Sequence, residues 1–164
     1  MILYHGSNMI VAEPKLIPQK RFLDFGTGFY TTENKVQAIS FANKVYRRRK
    51  EGSPIVSVYE FDEDAAFAVC RLLCFDSPNE EWLDFVSANR NGTYQGATYE
   101  LIYGAVANDD IYATFTLYAG GELTKHEIIS RLKVKKLYNQ LVFGSKRALS
   151  YLKYAASLDE KEQT

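Results

Sequence analysis

The apolar residues of this chain come in short runs, each closed within a few positions by a residue that favours turns. Ile2-Leu3-Tyr4-His5 runs into Gly6-Ser7-Asn8, and Pro54-Ile55-Val56-Ser57-Val58-Tyr59-Glu60-Phe61 alternates β-branched and aromatic residues. Residues 100–107 are mostly apolar before Asn108-Asp109-Asp110, and Asn139-Gln140-Leu141-Val142-Phe143 ends at Gly144. Runs of this length fit strands. None approaches the roughly 18 residues of a membrane span, so no membrane association is expected. Between them the spacing turns helical. Val36, Ile39, Ala42 and Tyr46 predict a helix to about Lys50. Trp82, Leu83, Phe85 and Val86 share a face within 80–90. Ile111, Phe115 and Tyr118 define a helix closed by Gly120-Gly121, and 125–132 and 145–156 read as two more. Short strands mixed with helices predict an α+β domain. A single domain is expected over 1–157, with 158–164 a flexible acidic tail.

Charge and cysteines narrow the function classes. Twenty Lys and Arg balance twenty Asp and Glu, which argues against a protein held to DNA or a membrane by its overall field. Arg47-Arg48-Arg49-Lys50 is the local exception. It reads either as cations opposing the negative end of a helix dipole or as a phosphate-contacting patch. Cys70 and Cys74 are the only cysteines, and His5 and His126 the only histidines, so four-ligand zinc spacing is absent and no metal is expected. The start of the sequence lacks a basic segment followed by an apolar stretch and a cleavage site. With two reduced, mostly buried thiols, the expectation is a cytoplasmic protein.

Taken singly, the candidate site residues are weak. His5 stands before a Gly-Ser turn, Gly26-Thr27-Gly28 is a bare Gly-x-Gly, and Asn139-Gln140 is a polar pair opening a strand. Their combination and order carry more. Leu3-Tyr4-His5-Gly6-Ser7 resembles the first motif of ADP-ribosyltransferases of the diphtheria-toxin and poly(ADP-ribose)-polymerase type. Gly26-Thr27-Gly28-Phe29-Tyr30 resembles their second, a glycine turn delivering a tyrosine, and the following helix carries Ala38 and Phe41 where that family often has a serine and a second aromatic. Tyr138-Asn139-Gln140-Leu141-Val142-Phe143 resembles their third motif, with Gln140 in the place of the family's glutamate. The chain as a whole is also similar to a bacterial family of unknown function, of the DUF3990 type, that is grouped with these transferases.

The resemblance implies two packed, mostly antiparallel sheets with flanking helices and a cleft that holds NAD. His5 is then expected to hydrogen-bond an adenosine-ribose hydroxyl. Gly6 would offer its N–H and C=O to the nicotinamide carboxamide, with Ser7 and Gly28 completing the cofactor-binding set. Tyr30 and Phe41 would sandwich the nicotinamide ring. Ala38 lacks the hydroxyl of its counterparts, and Ser40 replaces it only if the register shifts. Gln140 would orient the nicotinamide ribose without the charge a glutamate brings. A substitute carboxylate is therefore sought. Asp109 and Asp110 either cap the next helix or assist the acceptor, Asp24 either shapes the glycine turn or contacts a ribose, and Glu100 is a further candidate. His126 is expected on an exposed polar helix.

The implied activity is NAD-dependent mono-ADP-ribosylation of a protein or nucleic-acid target with release of nicotinamide, in a setting that admits a neutralising partner protein. The alternatives are a non-catalytic NAD or ADP-ribose-binding domain and an NAD-dependent RNA 2′-phosphotransferase. Tyr46 beside Arg47, Arg48 and Arg49 is the one cluster suited to stacking a base near phosphates.

Overall fold

Seven strands and six helices follow one another in the computed structural model, which describes residues 1–18, 20–107, 109–133 and 137–159, without the side chains of 109, 110, 112 and 133. β1 (Ile2–Ser7), β3 (Ile55–Phe61) and β7 (Leu152–Leu158) form one sheet in the order β1-β3-β7, antiparallel throughout. β2 (Phe29–Thr31), β6 (Asn139–Phe143), β5 (Leu101–Ala105) and β4 (Leu72–Cys74) form the second in the order β2-β6-β5-β4, where only the β4–β5 pair is parallel. The chain is thus α+β with two mostly antiparallel sheets.

Strand alternation sorts the side chains into layers. Leu3, Tyr59 and Phe61 of the first sheet meet Phe29, Leu101, Leu141 and Phe143 of the second. Edge-on rings join the two, Phe61 to Phe143 at 5.2 Å and Phe29 to Tyr59 at 5.8 Å. On the outer face of the first sheet lies α1 (Lys35–Arg49), which buries Ala38 and Ala42 against Val56. Asn34 caps it by accepting from the Gln37 N–H, and Lys50 ends it in the left-handed region at φ 56°. The outer face of the second sheet is covered by α3 (Glu80–Arg90), α4 (Asp109–Ala119) and α5 (Lys125–Lys133) around Trp82, whose indole N–H donates to the Ala105 carbonyl at 3.0 Å. Among the described residues no helix is long and apolar enough to cross a membrane.

The segment 145–156 departs from its expected helix. α6 (Lys146–Leu149) is one turn, and the chain then extends as β7. Leu149, Leu152 and the following alanines satisfy a helical period, but β3 needs a partner on its second edge. Pairing Tyr154 with Tyr59 and Ala156 with Val58 supplies it, with Ala155 as an extra, bulged residue. Tertiary pairing overrides local propensity here. Leu158, expected in the tail, is the last residue of β7, and 160–164 lie outside the described residues. Two elements had no clear sequence signal, α2 (Glu63–Val69) and the three-residue β4. Cys70 is buried, but Cys74 on β4 is exposed, against the expectation for both thiols.

Glu100 ties the lower end of the second sheet together. It accepts from Arg147 Nε at 3.0 Å, Ser145 Oγ at 2.9 Å and the Arg71 N–H at 3.0 Å. The Arg147 guanidinium first, then the Arg71 N–H and the Ser145 hydroxyl, hold its carboxyl down to about 2. A carboxyl depressed in the fold stabilises above its ordinary pKa and loses that contribution as pH falls toward the depressed value. The melting temperature should therefore drop between about pH 5 and pH 2, and drop less in Glu100→Gln, when thermal unfolding is followed by circular dichroism across that range.

Candidate functional site

Besides their packed side chains, the two sheets are joined among the described residues by one backbone bridge, beyond which β1 and β2 part. Tyr4 and Thr32 exchange both backbone hydrogen bonds, Tyr4 N to Thr32 O at 2.8 Å and Thr32 N to Tyr4 O at 3.0 Å. Alternate residues of a strand direct their N–H and C=O to the same edge. Gly6, two residues beyond Tyr4, therefore turns its polar backbone groups to the β2 side, and Tyr30, two residues before Thr32, turns its carbonyl to the β1 side. No ladder closes between them. Instead the His5 side chain enters the gap. Its Nδ1–H donates to the Tyr30 carbonyl at 2.7 Å, and its ring stacks on Phe29 with centroids 4.3 Å apart. A carbonyl only accepts, so Nδ1 carries the proton and the neutral ring leaves Nε2 as an acceptor. Burial lowers the His5 pKa, the Tyr30 carbonyl works against that shift, and Arg49 adds to it.

Gly6 serves packing as well as polarity. A Cβ there would lie 2.1 Å from the Ala38 carbonyl oxygen and 2.7 Å from the Ala42 nitrogen, so α1 crosses β1 at backbone contact. That contact sets the register of α1. Ala38, buried, faces Gly6, while Ser40 is exposed and does not replace the missing hydroxyl. Phe41 follows Ala38 by three residues, on the same flank of the helix, and is 49% exposed. Ser7 is buried at the end of β1.

Across the gap, Tyr30 is held by the glycine turn. Its hydroxyl donates to the Gly26 carbonyl at 2.7 Å and accepts from the Phe25 N–H at 3.1 Å. Burial above all raises its pKa, and the phenol stays protonated. The two glycines of the turn do different jobs. Gly26 has φ +77°, which favours glycine. Gly28 is needed because a Cβ would stand 2.5 Å from Val142 Cγ1, where β2 presses onto β6. Its smallness serves strand contact.

β6 brings the other end of the sequence to this wall. Tyr30 pairs with Val142, and Gln140 leaves the same face two residues away. Gln140 is 7% exposed, and its Nε2–H donates to Asp24 Oδ2 at 3.4 Å. Asp24, 6% exposed, also accepts from the Ala107 N–H at 3.0 Å and from Arg90 Nε at 2.5 Å. Arg90 Nη2 donates in turn to the Ala107 carbonyl at 2.9 Å. Arg90 had no signal in the sequence, because 66 residues separate it from Asp24.

His5, Gly6 and the Tyr30 carbonyl thus meet at the gap between β1 and β2, while Gln140 lies on the Tyr30 face of β6 with Asp24 beside it. Asp109 and Asp110 open α4, and their side chains lie outside the described residues. Glu100 is occupied at the far end of β5, and His126 is exposed on α5 beside a cleft of about 370 Å³ lined with Pro78 and Asn79. Arg47, Arg48 and Arg49 form the basic last turn of α1, and Arg49 Nη1 donates to Asn8 Oδ1 at 2.9 Å. Desolvation, followed by the charges of Arg21 and Arg49, lowers the Arg48 pKa. Among the described residues no three His, Cys, Asp or Glu side chains gather as metal ligands would.

The model of one family, described as a protein of unknown function (DUF3990), matches residues 1–154. No curated protein and no solved structure matches the chain.

The crossing of α1 over β1 makes a direct forecast. Gly6→Ala places a methyl into helix backbone and should cost about 1–3 kcal/mol. Gly120→Ala, whose Cβ would find ordinary contact at 3.5 Å, should stay within about 0.5 kcal/mol of the parent. Urea unfolding of the two variants measures the difference.

Proposed function

We propose that this chain, which belongs to the DUF3990 family by a match over nearly its whole length, is an NAD-dependent mono-ADP-ribosyltransferase of a macromolecular target. The observation that supports this most is the His5 Nδ1–H bond to the Tyr30 carbonyl, because it joins the first two motifs into one polar wall and fixes the free nitrogen of the ring as an acceptor.

In this reading Nε2 of His5 accepts from a hydroxyl of the adenosine ribose. The N–H and C=O of Gly6, turned to the gap, match the C=O and NH₂ of a carboxamide, one accepting and one donating. Tyr30 and Phe41 offer flat apolar faces to the nicotinamide ring. The cations of the last turn of α1, Arg48 and Arg49, suit the diphosphate. Gln140 Oε1 accepts from a hydroxyl of the nicotinamide ribose. The glycosidic C–N bond then breaks with its electron pair leaving on nicotinamide. The positive charge left on the ribose is taken up by a nucleophile of the target, which loses a proton, with Asp109 or Asp110 assisting. An uncharged Gln140 steadies that charge less than a carboxylate would, by on the order of 3 kcal/mol or a hundredfold in rate. Slow turnover is expected.

A second reading rests on the same glutamine. Its amide is tied to a carboxylate that is itself paired with Arg90, a neutral arrangement suited to holding NAD or ADP-ribose without turnover. Incubation with NAD labelled in the nicotinamide separates the two. Free labelled nicotinamide together with modified target supports the transferase; saturable binding without release supports the sensor; and the absence of both removes the NAD site. His5→Ala should abolish NAD retention in equilibrium dialysis while the circular dichroism spectrum stays native. Because burial holds the ring below its ordinary 6.5, Nε2 keeps its lone pair at neutral pH. Affinity for NAD should therefore stay level from pH 8 to 6.5 and weaken only at lower pH, as titration calorimetry across that range would record.

A further inference from the structure

We infer that Asp24 is a positioning residue that fixes which way the Gln140 amide faces. The consequence for NAD rests on the transferase reading; the orientation itself does not.

A glutamine amide presents an acceptor and a donor of nearly the same size, and a buried one can sit either way round unless its neighbours discriminate. Here they do. The Asp24 carboxylate offers acceptors only. Its Oδ1 is met by the Arg90 guanidinium at 2.5 Å and its Oδ2 by the Ala107 N–H at 3.0 Å, so the ion pair and a backbone donor fix the carboxylate itself. Gln140 can approach Oδ2 only with its NH₂, at 3.4 Å. The planar amide then turns Oε1 away from Asp24. Gln140 shares its sheet face with Tyr30. A neutral side chain thereby becomes a directed acceptor, which is the property a ribose hydroxyl requires. The same pair explains why a glutamine suits this position. A glutamate here would set two carboxylates against each other at hydrogen-bond range, and like charges so close do not both ionise.

Three measurements test the inference. In the ¹⁵N-labelled native protein, the Gln140 side-chain amide, assigned by its loss in Gln140→Ala, should show one of its two protons protected from exchange. Two protons that both exchange with solvent as fast as those of an exposed glutamine would overturn the orientation whether or not the protein acts on NAD. In Asp24→Asn, kcat for nicotinamide release should fall by on the order of tenfold, short of the hundredfold for removing an oriented dipole, while KM for NAD stays within about threefold. In Gln140→Glu, the rate should rise with pH through an inflection above the ordinary carboxylate range, and adding Asp24→Asn should bring that inflection back down. A purely structural role for Asp24 would leave the inflection where it is. Identical profiles with and without Asp24 would refute the positioning role while leaving the transferase reading intact. If Asp24→Asn does not fold, the amide spectrum and the single Gln140→Glu profile decide the matter: an inflection in the ordinary carboxylate range counts against the inference. A native protein that neither binds nor cleaves NAD, yet shows the protected amide proton, would refute the transferase reading and keep the orientation.

Discussion

One side-chain hydrogen bond substitutes for a missing ladder, and the architecture of the gap between β1 and β2 depends on it. β1 and β2 belong to different sheets, and after Tyr4 and Thr32 their backbones no longer pair. Diverging strands leave polar groups facing each other that water or a partner must satisfy. The His5 ring answers for the Tyr30 carbonyl. Its stacking on Phe29 anchors it in the layer between the sheets, so the ring acts as a wedge that keeps the gap at a set width. The same bond selects the tautomer, which makes the geometry of the split and the hydrogen-bonding character of the site a single fact.

Apolar layers on both sides of the second sheet surround a small polar group. Asp24, Arg90, Gln140 and the Ala107 N–H sit beside Phe25 and Val142, close to the ring of Tyr30. Such a group adds little stability over an apolar replacement, and removing a single member leaves a buried charge or an orphaned polar atom. What it contributes is definition. It ties the loop before β2, the end of α3, the residues after β5 and the start of β6 to one another, elements that are distant in sequence.

The legible part of the sequence was the part governed by local chemistry. His5-Gly6, the glycine turn with Tyr30, and Gln140 were singled out by the order of short motifs, and the structure joins the first two through the His5 bond to the Tyr30 carbonyl. The strands β1, β5 and β6 followed from short apolar runs closed by turn residues, β3 from alternation, and the helix α1 from the 3.6-residue period. What escaped was decided by long-range pairing. The residues of β7 satisfy a helical period and became a strand because β3 had an edge to fill. Arg90 sits on a helix whose apolar face was evident, but nothing local tied it to Asp24. Gly28 fitted a ligand-binding turn, and its neighbours Val142 and Phe143, more than a hundred residues on, explain its size.

The bulge in β7 reaches beyond its own register. β7 is the outer strand of its sheet, and an outer strand with regular, unpaired backbone invites a second chain to add to it. Ala155 breaks the spacing of those groups, and the exposed Lys153 places charge along the same border. The other sheet ends in β4, only three residues long. Both of these margins are therefore poor templates for further strands, so fibre-like self-association through sheet extension at β7 or β4 is disfavoured.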